Sequence, residues 1–289
     1  AFGFGTKTVA DFAHAEGREN VAGYAAHAEG MSNEALERFT HAEGYKNKAL
    51  GYCSHAEGES NTASGSESHV EGGGTVASAY AAHAEGSHTT ASGSVSHAEG
   101  NYTKALVNAS HAEGSSTTTL GLAAHAEGIQ TIASGEAAHA EGHTTHADGE
   151  YSHSEGYLTK ALGTAAHAEG HTTEAGYCAH AEGGNTKATN NYSHAEGYDT
   201  HTNASCQHVQ GKYNVASPDW VHIVGWGSSA DNRANIHTLN QSGEAWFKGD
   251  IYVGSYGGQK DQSSKKLATE LYVDAAINAA IGGAINGSY

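Results

Sequence analysis

Residues 94–100 read SVSHAEG, and the tetrapeptide HAEG returns twelve times along a chain of 289 residues. The repeat histidines are His14, His27, His41, His55, His69, His83, His97, His111, His125, His139, His153, His167, His180, His194 and His208. Their spacing is 14 residues except for two steps of 13, and the variant copies read HVEG at His69, HSEG at His153 and HVQG at His208. A fixed period is the first feature to look for, because it decides the architecture. Fifteen copies align the chain with itself, so each column can be read physically.

The residue before the histidine is mostly Ser or Ala, as at Ser54, Ser96, Ala124 and Ala166, and the residue after it is almost always Ala. Six positions after the histidine stands Thr or Asn, from Asn20 to Thr200, and eight after stands Ala, except at Thr119 and Thr202. In a strand, alternate residues share a face. Ser and Ala of S-H-A-E-G therefore face one side and His and Glu the other, and Thr/Asn and Ala of the second half-repeat form a second small-residue face. Two short strands per coil, their small faces meeting in a thin interior, stack into a parallel β-solenoid. Gly is frequent four positions before the histidine (Gly23, Gly51, Gly93, Gly135, Gly176), where it is expected to supply positive φ at tight corners.

The His column and its Glu partners (Glu16, Glu29, Glu43, Glu57, Glu71, Glu85, Glu99, Glu113, Glu127, Glu141, Glu155, Glu169, Glu182 and Glu196) do not vary, yet lie off the interior face. That combination predicts a contact with further copies of the chain. A roll of Ala and Ser buries little apolar area alone, and chains packed side by side supply more. The expected assembly is a homo-oligomer with the His/Glu ladder as its seam, which fixes register and loosens at low pH when Glu is protonated.

These columns resemble the head of trimeric autotransporter adhesins, in which S-V-A-I-G stands where S-H-A-E-G stands here. The resemblance implies a left-handed parallel β-roll, homotrimeric about its long axis, with a polar seam replacing an apolar one. The HAEG form is similar to repeats in tail-fibre and appendage proteins of phages and prophages of Gram-positive bacteria. HIVGWGSSADNRANIHTLNQSGEAWFKGDIYVG (222–254) and KKLATELYVDAAI (265–277) resemble the segments that follow those repeats. The implied function is a structural fibre segment at the tail or surface of a virion, presenting a host-recognition surface to a glycan or protein and joined to other fibre or tail proteins. Two alternatives are a bacterial cell-surface adhesin head and a tailspike enzyme that degrades polysaccharide.

The expected organisation is a repeat roll over 1–211, a β-rich collar over 212–258 holding Trp220, Trp226 and Trp246 in an aromatic core, and a linker with a short coiled-coil helix over 259–289. Ala1–Gly3 fall on the A-E-G columns with Phe2 in the Glu place, so the chain opens inside a repeat, as a capped end or as part of a longer protein. Fifteen rungs make a rod of about 70 Å.

The formal charge is −18 with all 22 His neutral, and full protonation would bring it to about +4. There is no basic run to grip nucleic acid and no apolar stretch long enough to cross a membrane as a helix. Cys53, Cys178 and Cys206 each lie two residues before a repeat histidine; stacked at about 4.8 Å per rung, they are too far apart to bridge. Stacked carboxylates about 5 Å apart match the spacing of retaining glycosidases. Catalysis, however, needs two carboxyls in different environments, whereas every rung repeats one environment; no enzymatic role and no cofactor are expected. Three axial His from three chains would bind Zn²⁺ or Ni²⁺, but a Glu for nearly every His favours hydrogen-bonded polar rungs. Tyr24, Tyr45, Tyr52, Tyr157, Tyr177 and Tyr198 sit at turn columns, where they are expected to staple adjacent coils, with sugar stacking as the alternative.

Overall fold

A computed structural model describes residues 1–248 and the backbone of two further strands, Tyr252–Val253 and Lys265–Lys266. Each coil opens with a five-residue strand on the ladder histidine, such as His97–Asn101 and His111–Ser115, and continues into a two-residue strand such as Lys104–Ala105. The longer strands pair in parallel with strict register: His97 opposite His111, Ala98 opposite Ala112, Glu99 opposite Glu113. They build one sheet of 19 strands, and the short strands build a second of 14. The result is an all-β parallel solenoid of about sixteen turns.

The predicted faces are the observed ones. Ala98, Ala112, Ala105 and Thr103 are fully buried between the sheets, and Ser96 and Ser110 nearly so. The largest fully buried side chains include Ile223, Gln207, Val70 and Val209, so the interior is one small side chain thick. Both 13-residue steps omit the same position, the corner residue after the short strand. Leu50 of a full coil donates its N–H to Ala63 O, whereas in the short coils Gly23 and Gly176 come one place earlier and donate to Ala35 O and Ala188 O. The ladder therefore keeps step through the deletion, His167 still facing His180.

The corner chemistry differs from the expectation. Gly51 and Gly135 have ordinary negative-side backbones; a Cβ on either would fall well under 3.0 Å from the next coil's backbone. These glycines are there for close approach. Positive φ falls instead on the HAEG glycine (Gly114, φ 106°) and on non-glycine residues in two columns, such as Cys53 (φ 55°), Ala109 (φ 56°) and Ser116 (φ 59°). The three cysteines occupy one such corner column as free thiols.

The buried polar column is hydrogen-bonded in its Asn coils and mostly unpaired in its Thr coils. In the first coils Asn side chains form a ladder: Asn47 Oδ1 accepts from Asn61 N–H (2.9 Å), and Asn47 Nδ2 donates to Gly58 O (2.6 Å) and Glu43 O. From Thr75 to Thr200 the same column is Thr, and the hydroxyls of Thr89, Thr103, Thr117, Thr131 and Thr145 have no partner. Asn47→Ala should therefore cost about 2–4 kcal/mol, leaving buried backbone groups unpaired. Thr117→Val should lie within about 1 kcal/mol of the parent, because its hydroxyl bonds nothing. Urea unfolding of the two variants checks the contrast.

Past His208 the periodicity continues for one more coil. Trp220–Trp226 pairs in parallel with His208–Lys212, setting His222 against His208 and Gly225 against Gly211. It then pairs antiparallel with Asn235–Asn240, which pairs with Ala245–Phe247. This meander extends the main sheet and closes the roll. Trp226 and Trp246 are 60% and 48% exposed, so the expected aromatic core does not form among the described residues of one chain. Lys265–Lys266, at the start of the expected helix, is a strand paired with Tyr252–Val253. The rest of the expected linker and helix lies outside the described residues.

Tyr24, Tyr52, Tyr157, Tyr177 and Tyr198 each pack on an aromatic ring of an adjacent coil, whereas Tyr45 lies against Lys46. Phe12, Tyr24, Phe39 and Tyr52 form an edge-to-face file with centroids 5.8–6.4 Å apart, and His143, Tyr157 and His171 stack at 5.1–5.2 Å. No helix of the described residues is long and apolar enough to cross a membrane.

Candidate functional site

Strand alternation puts every ladder histidine, from His14 to His208, in one file on the outer face of the main sheet, and the glutamates from Glu16 to Glu196 in a second file beside it. The rungs are one strand spacing apart, so neighbouring imidazoles meet. Their centroids are 4.6–4.9 Å apart from His14 to His208, and from His83 onward the planes lie within 13° of parallel. Away from the ends of the file the His side chains are only about one-third exposed, for example 35% at His111 and His194. The invariance of the His column thus has a cause inside one chain, which sequence reasoning missed: alternation shows the face of a side chain but not its ring plane.

At most rungs Nε2 stands within 4.0 Å of the glutamate of its own strand; His69 and His83 lack such a pair, and His208, whose strand carries Gln210, stands 3.8 Å from Glu196 of the preceding coil. The Nε2–Oε2 distance is 3.3 Å at His27–Glu29, 3.7 Å at His111–Glu113 and 4.0 Å at His194–Glu196. Among the described ladder pairs, hydrogen-bond geometry is met at His14–Glu16 (3.4 Å). From His27 to His208 every ladder Nε2 is buried and has no hydrogen-bond partner. A file of buried, unpaired ring nitrogens is unusual, because such atoms normally find a partner.

Burial holds several of these rings below the usual imidazole pKa. For His111 the leading cause is desolvation, followed by the charges that His97 and His125 would carry, against the opposing pull of Glu113 and Glu99. His83, His125, His153 and His180 are lowered in the same direction, again chiefly by burial.

Two features escaped the sequence reading. His222 adds a sixteenth ring, 5.2 Å from His208; its signal was present in the 14-residue step and in Gly225, but Ile and Val had replaced Ala and Glu. A polar knot ties the cap to the roll: Arg233 pairs with the nearly buried Asp199, which also accepts from Asn185 Nδ2 (2.9 Å) and stands 3.3 Å from His201. Desolvation alone would raise the Asp199 carboxyl, yet its hydrogen bonds to Arg233 and Asn185 hold it below the usual range. The knot occurs once, so no periodic column could reveal it.

The chain is an all-β, parallel β-solenoid repeat protein with a continuous His/Glu face. No protein-family model matches it, and comparison with curated proteins gives no match.

Proposed function

We propose that this protein is a structural fibre segment of a phage or phage-like particle: a left-handed roll, trimeric along the His/Glu face, that holds a host-recognition surface away from the particle. The observation that carries this reading is the unbroken ladder. One repeated, half-buried polar face runs from His14 to His208, with Glu beside His at every coil up to Glu196, a regular surface that a sister chain can lie along. A seam repeated at every rung suits an assembly axis; a catalytic site needs carboxyls in unlike surroundings. The uniformity supports a structural role over the tailspike alternative. A cell-surface adhesin head would use the same rod, and localisation separates the two.

Sedimentation of the purified chain should give a mass near three times 29.7 kDa, and negative-stain images should show rods about 75 Å long over the repeat region. Labelled protein should decorate intact Gram-positive host cells, and antibody should label the particle rather than the uninfected cell envelope. A monomer at micromolar concentration sinks the trimeric reading. Release of new reducing ends from host glycans would favour the enzyme.

A further inference from the structure

The geometry points to a row of divalent-metal sites within each chain, built along the His/Glu ladder and selective for a borderline ion of the Zn²⁺ type. The unit is the His and Glu of one coil with the His of the next, as in His97, Glu99 and His111 or His111, Glu113 and His125. In each such group the ligand atoms all lie within 4.8 Å of one another. This site stands on one chain's geometry and does not rest on the trimeric assembly.

Three observations converge on it. First, the donors match the ion: neutral imidazole nitrogen and ionised carboxylate oxygen are what Zn²⁺ takes, at bonds of about 2.0–2.2 Å. Two ligands of one tetrahedral ion then stand about 3.3 Å apart, and Nε2 and Oε2 of a single coil are already 3.3–4.0 Å apart. Second, from His27 to His208 the ladder Nε2 atoms are buried and unpaired, and at most rungs stand within 4.0 Å of a carboxylate oxygen, so no hydrogen bond has to be broken for Nε2 to turn to an ion. Third, the carboxylates form a file of like charges one strand spacing apart, in a chain of formal charge −18. Each ion offsets two of those charges.

Ring geometry sets the stoichiometry and the cost. An ion must lie in the plane of each imidazole it binds. Two near-parallel rings stacked one above the other, such as His97 and His111, cannot both hold one intervening ion in their planes. The two rings must tilt toward each other; the ladder admits non-parallel neighbours, since His41 and His55 lie at 54°. A histidine tilted toward one neighbour turns away from the other, so adjacent groups cannot fill together. The ladder takes one ion for every two coils, with a fourth position left for water or a group from another chain.

The test uses the full chain, stripped with chelator, desalted and equilibrated with micromolar Zn²⁺ at about pH 7.5, where Glu is ionised and His mostly neutral. Metal analysis should find several ions per chain, and the melting temperature should rise with Zn²⁺ and return with chelator. Changing Glu to Gln at the seven rungs from Glu85 to Glu169 should remove about half of the retained zinc. Gln is tolerated in this column, since Gln210 occupies it naturally. A His143→Gln, His171→Gln variant, which disrupts only the outer stack, should keep the full count. Fewer than one ion per chain overturns the inference, as does a count unchanged by the Gln rungs. If the Gln variant fails to fold, Co²⁺ titration of the parent decides. Intense visible d–d absorption of a four-coordinate site, saturating at one ion per two coils, supports it, and its absence overturns it.

Discussion

Gly114→Val should abolish the native solenoid or lower its stability by more than about 4 kcal/mol, the range in which a single substitution is diagnostic of a clash or severe strain. Gly114 has φ of 106°, a region that β-branched residues do not enter. A Cβ placed there would also fall well under 3.0 Å from the carbonyl oxygen of Gly128 in the next coil. Both faults strike backbone, so no rotamer change relieves them. Because each coil rests only on its neighbours, the break at mid-ladder removes stacking on both sides. Ser116→Gly, two residues along, makes the opposite case. Ser116 holds φ of 59° as a non-glycine, and glycine removes left-handed strain worth about 1 kcal/mol while raising the entropy of the unfolded chain. That variant should melt within a few degrees of the parent or slightly above it. Circular dichroism melts and limited proteolysis around residue 114 distinguish the two outcomes.

The same coil shows why some of this structure was legible in the sequence and some was not. The columns around His111 carry a period-2 signal: Ser110 and Ala112 inward, His111 and Glu113 outward. Fifteen copies make that alternation unambiguous. The corners were harder to read, since the positive-φ columns hold Cys53, Ala109, Ser116 and Tyr151 with no shared chemistry. Those corners are imposed by the stacking of backbone on backbone, as in the bond from Ala109 N–H to Ser94 O, and not by residue preference. The glycines that look like turn formers, such as Gly135, answer a packing constraint visible only when the next coil is in place. At the candidate site, the residues and their common face could be read from the sequence. The stack could not, because it depends on χ angles, and neither could the cap, because Arg233 and Asp199 meet across 34 residues in a single copy.

Acidification should destabilise the metal-free solenoid, beginning with histidine and not with glutamate. Eight ladder rings (His55, His83, His111, His125, His153, His180, His208 and His222) have pKa values lowered in the folded chain, with burial the leading cause at each. A base whose folded pKa lies below its unfolded value of 6.5 is more protonated in the unfolded chain between those two values. Its contribution is fully present above pH 6.5 and is lost as pH falls through the folded pKa. All eight shifts have the same sign, so their losses add. With chelator present and ionic strength fixed, the melting temperature should be flat from about pH 8 to 7 and fall by at least about 5 °C by pH 5. The fall starts above the range in which exposed glutamates titrate, which separates it from protonation of the carboxylate file. Partly protonated rings stacked at 4.7 Å repel one another, while Glu113 and Glu99 offset some of that repulsion at His111. Replacing His111 and His125 by Asn should therefore flatten the slope, at some cost in stability near neutrality from the lost stacking. A melting temperature independent of pH between 7.5 and 5, or one that rises on acidification, would show that the glutamate file controls the ladder's charge.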